Sequence, residues 1–121
     1  MLKNILLAGL GGSIGTMLRY ASSHYFRTPR FPFATLSINI IGSLFIGVVF
    51  GFAVRDINFE NNWKVFLAAG ICGGFTTFSA FSLENLQMLQ QGKYFLSLAY
   101  IVCSIIAGIF AAWIGYKLVT N

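Results

Sequence analysis

Charge is what this chain has least of. Only 9% of its 121 residues are Asp, Glu, Lys or Arg, against about 25% in soluble domains. So few charges cannot clothe a water-facing surface. Acids are scarcest: Asp56, Glu60 and Glu84 are the whole set, and His24 is the single histidine. General acid–base catalysis needs positioned titratable groups, so this shortage argues against an enzyme. No Ser/His/Asp or Cys/His constellation, HExxH motif, P-loop or carboxylate pair stands in the sequence. The two cysteines, Cys72 and Cys103, lie apart in apolar sequence without ligating companions. That pattern is no zinc site; such cysteines act as small hydrophobes. The net charge of +5 is spread too thinly for a nucleic-acid surface. A few basic residues near anionic lipid headgroups account for it.

Apolar residues are abundant instead, at 57% of the chain with a mean hydropathy of +0.77. A bilayer crossing takes roughly 20 residues. Four runs meet that length: Ile5–Phe26, Phe33–Val54, Trp63–Gln90 and Phe95–Tyr116. The expected fold is an all-α membrane protein with four transmembrane helices. Residues 1–121 form one such domain, with little chain left for a soluble one. Lys3 before an apolar run imitates a signal peptide. However, Gly9, Gly11, Gly12 and Gly15 interrupt that run, and it outlasts an h-region. Nor do those glycines have the G-x-G-x-x-G spacing of a dinucleotide fingerprint.

With four spans, Lys3, Arg55, Lys64 and Lys117 share one side of the membrane. Arg19, Arg27, Arg30 and Lys93 belong to the other. Lys/Arg excess normally sets orientation, and here there is none. Such a chain is expected to insert both ways. Two opposed copies then pair about an axis in the membrane plane, as inverted repeats do. The alternative is a weakly biased chain oriented by a partner. Gly11 and Gly15, Gly47 and Gly51, and Ala111 and Gly115 make small-xxx-small faces, which allow close helix approach and suit a dimer.

Polar residues inside the spans are few. Thr35, Asn39 and Ser43 recur every fourth residue, on one helical face. Interhelical hydrogen bonds explain Thr35 and Ser43. Asn39 carries both donors and acceptors and suits either packing or a permeation path. Arg19 either caps carbonyls or lends positive charge to an anion vestibule. Glu84 is the one acid within a span, placed three residues after Phe81. It reads as a gate or proton site, or as the partner of a base at the membrane edge.

The third run holds Gly73-Gly74-Phe75-Thr76-Thr77-Phe78-Ser79-Ala80-Phe81-Ser82. Adjacent glycines with hydroxyls at Thr76, Thr77, Ser79 and Ser82 suit a broken helix rather than a lipid-facing one. Irregular backbone at membrane depth must be buried in protein or line a cavity. Freed carbonyls suit a small hard cation, and amides at a restarted helix suit an anion. Phe78 and Phe81 share a face. Their positive ring edges suit an anion, although phenylalanines at this spacing are usually packing residues.

This segment resembles the third-helix motif of the Fluc (CrcB) fluoride channels. Pro32-Phe33-Ala34-Thr35-Leu36-Ser37-Ile38-Asn39-Ile40-Ile41-Gly42-Ser43 is similar to that family's second helix. Gly11-Gly12-Ser13-Ile14-Gly15, followed by Arg19-Tyr20, is similar to its first. The resemblance implies an antiparallel, dual-topology homodimer in the inner membrane with two fluoride pathways, exporting cytoplasmic fluoride passively. Phe78 and Phe81 would contact the anion by their ring edges. Asn39 and Ser79 would serve the same route, Arg19 its vestibule and Glu84 its far part. Tyr100 and Ser104 join the polar track, although Gly108 and Ala112 continue their stripe without polar groups. Backbone carbonyls of Gly73 and Thr76 would hold a structural sodium ion on the dimer axis. The chain departs from the family at Ala80, where Thr is common. The thinned fourth-helix track also suits a pair of unequal paralogous subunits. The rival reading is a small dual-topology, proton-coupled drug or cation exporter. It expects an early midplane carboxylate, where the first span has Arg19 instead.

Overall fold

The computed structural model describes all 121 residues, and every regular element is helical. α1 spans Leu2–Tyr25 and α2 spans Phe33–Arg55. A six-residue helix, α3 (Ile57–Asn62), follows. The Asp56 side chain starts it by accepting the Asn58 N–H at 2.9 Å, an ordinary N-cap. This helix lies between the second and third expected spans. The third span opens as a π-helix, Val65–Cys72, and continues as one α-helical turn, α4 (Gly73–Phe75). After an interruption it resumes as α5 (Phe78–Gln90), and α6 (Tyr94–Thr120) ends the fold. The expected spans are met within a few residues. Gly92, at φ +76°, closes α5, with its N–H bonded to Leu89 and that of Lys93 to Met88. That is the left-handed glycine stop of a helix C-terminus.

α2, the third span and α6 are each long and apolar enough to cross a membrane. α1 has the length, at 24 residues, but is diluted by glycines, Asn4, Ser13 and Arg19. Only 17 of 121 residues are buried. Large apolar side chains such as Phe95, Ile106 and Ile109 point outward, as lipid contact requires. Cys103 also faces outward, while Cys72 is buried. The chain is a multi-pass membrane protein.

The small-residue faces are spent inside the chain. A Cβ on Gly11 would stand 2.9 Å from Gly70 Cα, and one on Gly15 2.8 Å from the Phe75 N. These glycines seat α1 on the third span. A Cβ on Gly47 would strike the Ala112 carbonyl, and one on Gly115 the Leu44 carbonyl. Gly51 abuts Val119 at 3.0 Å by the same measure, and Ala111 is buried. α2 and α6 therefore pack backbone to backbone through the very faces that suggested a dimer. Arg55 ties their ends by donating to the Val119 carbonyl at 2.5 Å.

Gly47→Val and Gly115→Val should each force α2 from α6 and destabilise the fold by about 1–3 kcal/mol, the usual cost of overpacking. A Cβ at Gly9 meets no atom within 4 Å. Gly9→Ala should therefore leave stability unchanged or raised. Thermal unfolding of the purified variants in detergent checks both.

Candidate functional site

The third span is broken, but not at the glycines. Gly73 has helical angles, φ −62° and ψ −37°, and Gly74 lies inside the α4 turn. The chain leaves the helix at Thr76 (φ −82°, ψ 157°) and Thr77 (φ −149°, ψ 123°). The glycine pair serves packing: a Cβ on Gly74 would collide with the Gly12 carbonyl, while the Gly73 side is open. The break belongs to two β-branched residues, which favour extended backbone.

Each group released by the break can be followed. In an unbroken helix the Thr77 N–H would bond the Gly73 carbonyl. Here it donates to Asn39 Oδ1 at 2.9 Å, and Asn39 Nδ2 donates back to the Thr77 carbonyl at 3.0 Å. The side-chain amide thus replaces a backbone partner on both counts. Arg19 Nε donates to the Gly74 carbonyl at 3.0 Å, so the carbonyl-capping reading of Arg19 is the one the geometry realises. Thr76 N–H and Oγ1 both bond the Cys72 carbonyl, each at 2.9 Å. α5 restarts with Thr77 as its N-cap: Thr77 Oγ1 accepts from the Ala80 N–H at 3.1 Å and lies 3.1 Å from Ser79 Oγ. Position 80 contributes its backbone N–H whether or not its side chain bears a hydroxyl.

Two openings lie along this part of the bundle, one at the break and one at the loop end. One is a groove of about 430 Å³ lined by Asn39, Ser43, Gly73, Thr76, Thr77 and Phe78, among others. Phe78 stands out beside it, 77% exposed. Ser43 makes no interhelical hydrogen bond, contrary to expectation. It lines this groove beside Gly108, whose Cβ would lie 3.5 Å from Ser43 Oγ. Thr35 does make such a bond, and its acceptor is Glu84 Oε2, at 2.6 Å. Tyr100, fully buried, donates to Glu84 Oε1 at 2.7 Å. Two hydroxyls therefore hold Glu84, and no base pairs with it. Thr35 and Glu84 form part of the second opening, a cavity of about 360 Å³ at the loop end.

Aromatic rings join the two openings. Phe78 and Phe81 have centroids 5.6 Å apart, Phe81 and Tyr100 4.9 Å, and Tyr100 and Phe31 5.4 Å. Of the residues singled out from sequence, Asn39, Ser79, Phe78, Gly73 and Thr76 gather at the break. Phe81, Glu84 and Tyr100 gather one to two helical turns further along. Ser104 follows Tyr100 by one turn of α6, and its Oγ is buried without a hydrogen-bond partner. Sequence reasoning missed two residues that brace this region. Ser97 donates to Asn85 Oδ1 at 2.8 Å, and Asn85 Nδ2 to the Phe81 carbonyl at 2.9 Å. Both are buried. The signal available was an amide amid the apolar residues of α5, one residue from Glu84.

A small helical membrane protein with a pinned break, unspent polar groups and an aromatic ladder is of the class that moves small solutes or ions. The chain belongs to the family described as "CrcB-like protein, Camphor Resistance (CrcB)", whose model matches residues 6–116. It is 44% identical over 121 residues to the "Fluoride-specific ion channel FluC" of Azobacteroides pseudotrichonymphae, covering 98% of this chain and 97% of that protein. A protein of the same name from Leptospira interrogans is 43% identical over 122 residues, covering 98% and 96%. That of Flavobacterium psychrophilum is 42% identical over 118 residues, covering 94% of each. These relatives are named as ion channels, not as enzymes or exporters, and nothing favours the exporter reading.

Removing Asn39 should strand the Thr77 N–H and carbonyl together. Asn39→Ala is expected to cost about 1–3 kcal/mol, the desolvation penalty of an unsatisfied group. Asn39→Asp keeps the acceptor but loses the N–H, and should also destabilise. Thermal melts of both variants against the parent test this; equal melting would remove Asn39 from the break.

Proposed function

We propose that this chain is a fluoride-selective channel that exports cytoplasmic fluoride passively across the inner membrane. The observation that carries the proposal is the ladder Phe78–Phe81–Tyr100. It runs from the broken helix to Glu84 in a chain that matches fluoride-specific channels over nearly its whole length. Ring edges are electropositive and replace water around a small anion without binding it tightly. Weak contacts in series let the ion enter and leave. Asn39 fits the same route: an amide has two N–H bonds, and only one is spent on Thr77. Ser79, Ser104 and Tyr100 supply hydroxyls along it, Glu84 stands at its far part, and Arg19 lends positive charge where it caps Gly74.

The working unit is a homodimer of opposed copies. A single chain leaves a polar groove and an irregular backbone facing outward, which lipid does not tolerate. A second copy laid over Gly73, Thr76 and Phe78 would cover both. The even division of Lys and Arg fits dual insertion. An unequal paralogous partner would satisfy the same physics.

A structural sodium ion fits the donors present. The Gly73 carbonyl has lost its Thr77 donor to Asn39, Thr76 is extended, and both residues line the open groove. Hard cations take oxygen ligands. Two carbonyls from each copy would meet at a two-fold axis, where the bound cation would neutralise converging carbonyl dipoles. No cluster of His, Cys, Asp or Glu competes for a metal.

The direct test is reconstitution in liposomes with fluoride efflux read by a fluoride electrode. The parent is expected to release fluoride and to retain chloride. Efflux no faster than from empty vesicles would overturn the channel assignment. Phe78→Ile and Phe81→Ile should suppress flux by about tenfold or more, equivalent to roughly 1.4 kcal/mol on the permeation barrier. A dimeric elution profile would be kept. Unchanged flux would take the ring edges out of the pathway.

A further inference from the structure

The cavity at the loop end of the bundle carries more charge than the pathway needs for its walls. It opens between the segment joining α1 to α2 and the turn joining α5 to α6. Arg27, Arg30 and Lys93 all line it, together with Gln87, and Thr35 and Glu84 bring it to the pathway. Three cations thus stand around one carboxyl group, whose two oxygens already accept the hydroxyls of Thr35 and Tyr100. None of the three has an ion-pair partner; the chain's one ion pair, Lys64–Glu60, lies elsewhere. Within the cavity only Glu84 opposes their charge, which leaves a cationic excess. The two arginines also ride on an ordered segment. Thr28 Oγ1 donates to the Phe31 carbonyl at 2.6 Å, and the Phe33 N–H donates to the same oxygen at 2.8 Å. The Phe31 ring sits edge-on to Tyr100, with planes 74° apart.

An anion that has passed Phe81 and Tyr100 next meets Glu84, which in its ionised form repels it. We propose that Arg27, Arg30 and Lys93 form an anion-collecting collar at this mouth. It is a weak site for a small hydrated monovalent anion, offsetting Glu84 and raising the local anion concentration. The proposal rests on the fluoride-channel reading. All three cations are exposed and keep their water, so the collar attracts without trapping. Clefts lined by one sign of charge raise encounter rates by about 10–10³-fold, falling steeply with ionic strength. The Debye length is about 30 Å at roughly 0.01 M salt and about 3 Å at roughly 1 M. The collar should therefore act in dilute salt and vanish in concentrated salt.

The experiment compares fluoride efflux from neutral phosphatidylcholine vesicles holding the parent, R27Q/R30Q, R27E/R30E, R27K/R30K or Lys93→Gln. At roughly 0.01 M ionic strength R27Q/R30Q should conduct about threefold less or lower, R27E/R30E less again, and Lys93→Gln moderately less. R27K/R30K, which keeps the charge, should match the parent. At roughly 1 M all should converge. Equal flux at both salts from a conducting parent would overturn the collar and leave the channel standing. A deficit independent of salt and not rescued by lysine would make the arginines structural and overturn it. A deficit seen only with added anionic lipid would assign them to headgroups and overturn it too. A parent that carries no fluoride would remove the channel reading itself.

Discussion

The structure turns on the exchange between Asn39 and Thr77. A helix crossing a membrane normally satisfies its own backbone, and a break forfeits that self-sufficiency. One amide side chain on α2 restores both lost partners of Thr77, at 2.9 and 3.0 Å. An amide offers donor and acceptor on separate atoms side by side, which matches the N–H and carbonyl that Thr77 presents. The bond pair also fixes the rotation of α5 against α2. That rotation carries Phe78 to the groove, Phe81 onto Tyr100 and Glu84 between Thr35 and Tyr100. With the Thr77 N–H spent on Asn39, the Gly73 carbonyl is left without its helical donor. The proposed anion route and the proposed cation site are thus two results of one substitution of partners.

Close packing makes that geometry rigid. α1 sits on the third span through Gly11, Gly15, Gly70 and Gly74, and α2 sits on α6 through Gly47, Gly51 and Gly115. Backbones in contact have no side chains to re-sort, so the helices cannot slide by small steps. These glycines are therefore unavailable to a dimer interface. The surface left for a second copy is the groove itself, with Gly73 open and Phe78 outward. In the proposed dimer the partner covers polar groups, a stronger requirement in lipid than covering apolar ones.

Much of this was legible in the sequence. Span number, span limits and the existence of a break followed from hydropathy, length and the cluster of hydroxyls around Thr76 and Thr77. The position of the break did not, because glycine has two uses and the sequence does not say which applies. At Gly73 and Gly74 the use is close approach, and the extended residues are the β-branched pair beyond. Thr35 and Ser43 read alike on one helical face, yet only Thr35 meets an acceptor. The difference lies in what α5 presents, which is tertiary. Asn85 and Ser97 passed unnoticed since neither forms a motif, and their meeting depends on how the Gly92 turn folds α6 back onto α5.

The departure at Ala80 and the thin fourth-helix track look different once hydrogen bonds are assigned. A hydroxyl already committed within the protein has little left for an ion. Thr76 gives its proton to the Cys72 carbonyl, and Thr35 gives its own to Glu84. A threonine at position 80 would add a hydroxyl beside Thr77 and Ser79, which already share a contact at 3.1 Å. What an anion needs is donors that the fold leaves unspent. Two stand out: the second N–H of Asn39, and the Ser104 hydroxyl, buried without a partner. One faces the groove from α2, and the other rises from α6 one turn beyond Tyr100. In the proposed channel the number of hydroxyls along α6 therefore matters less than the one whose hydrogen bond is missing.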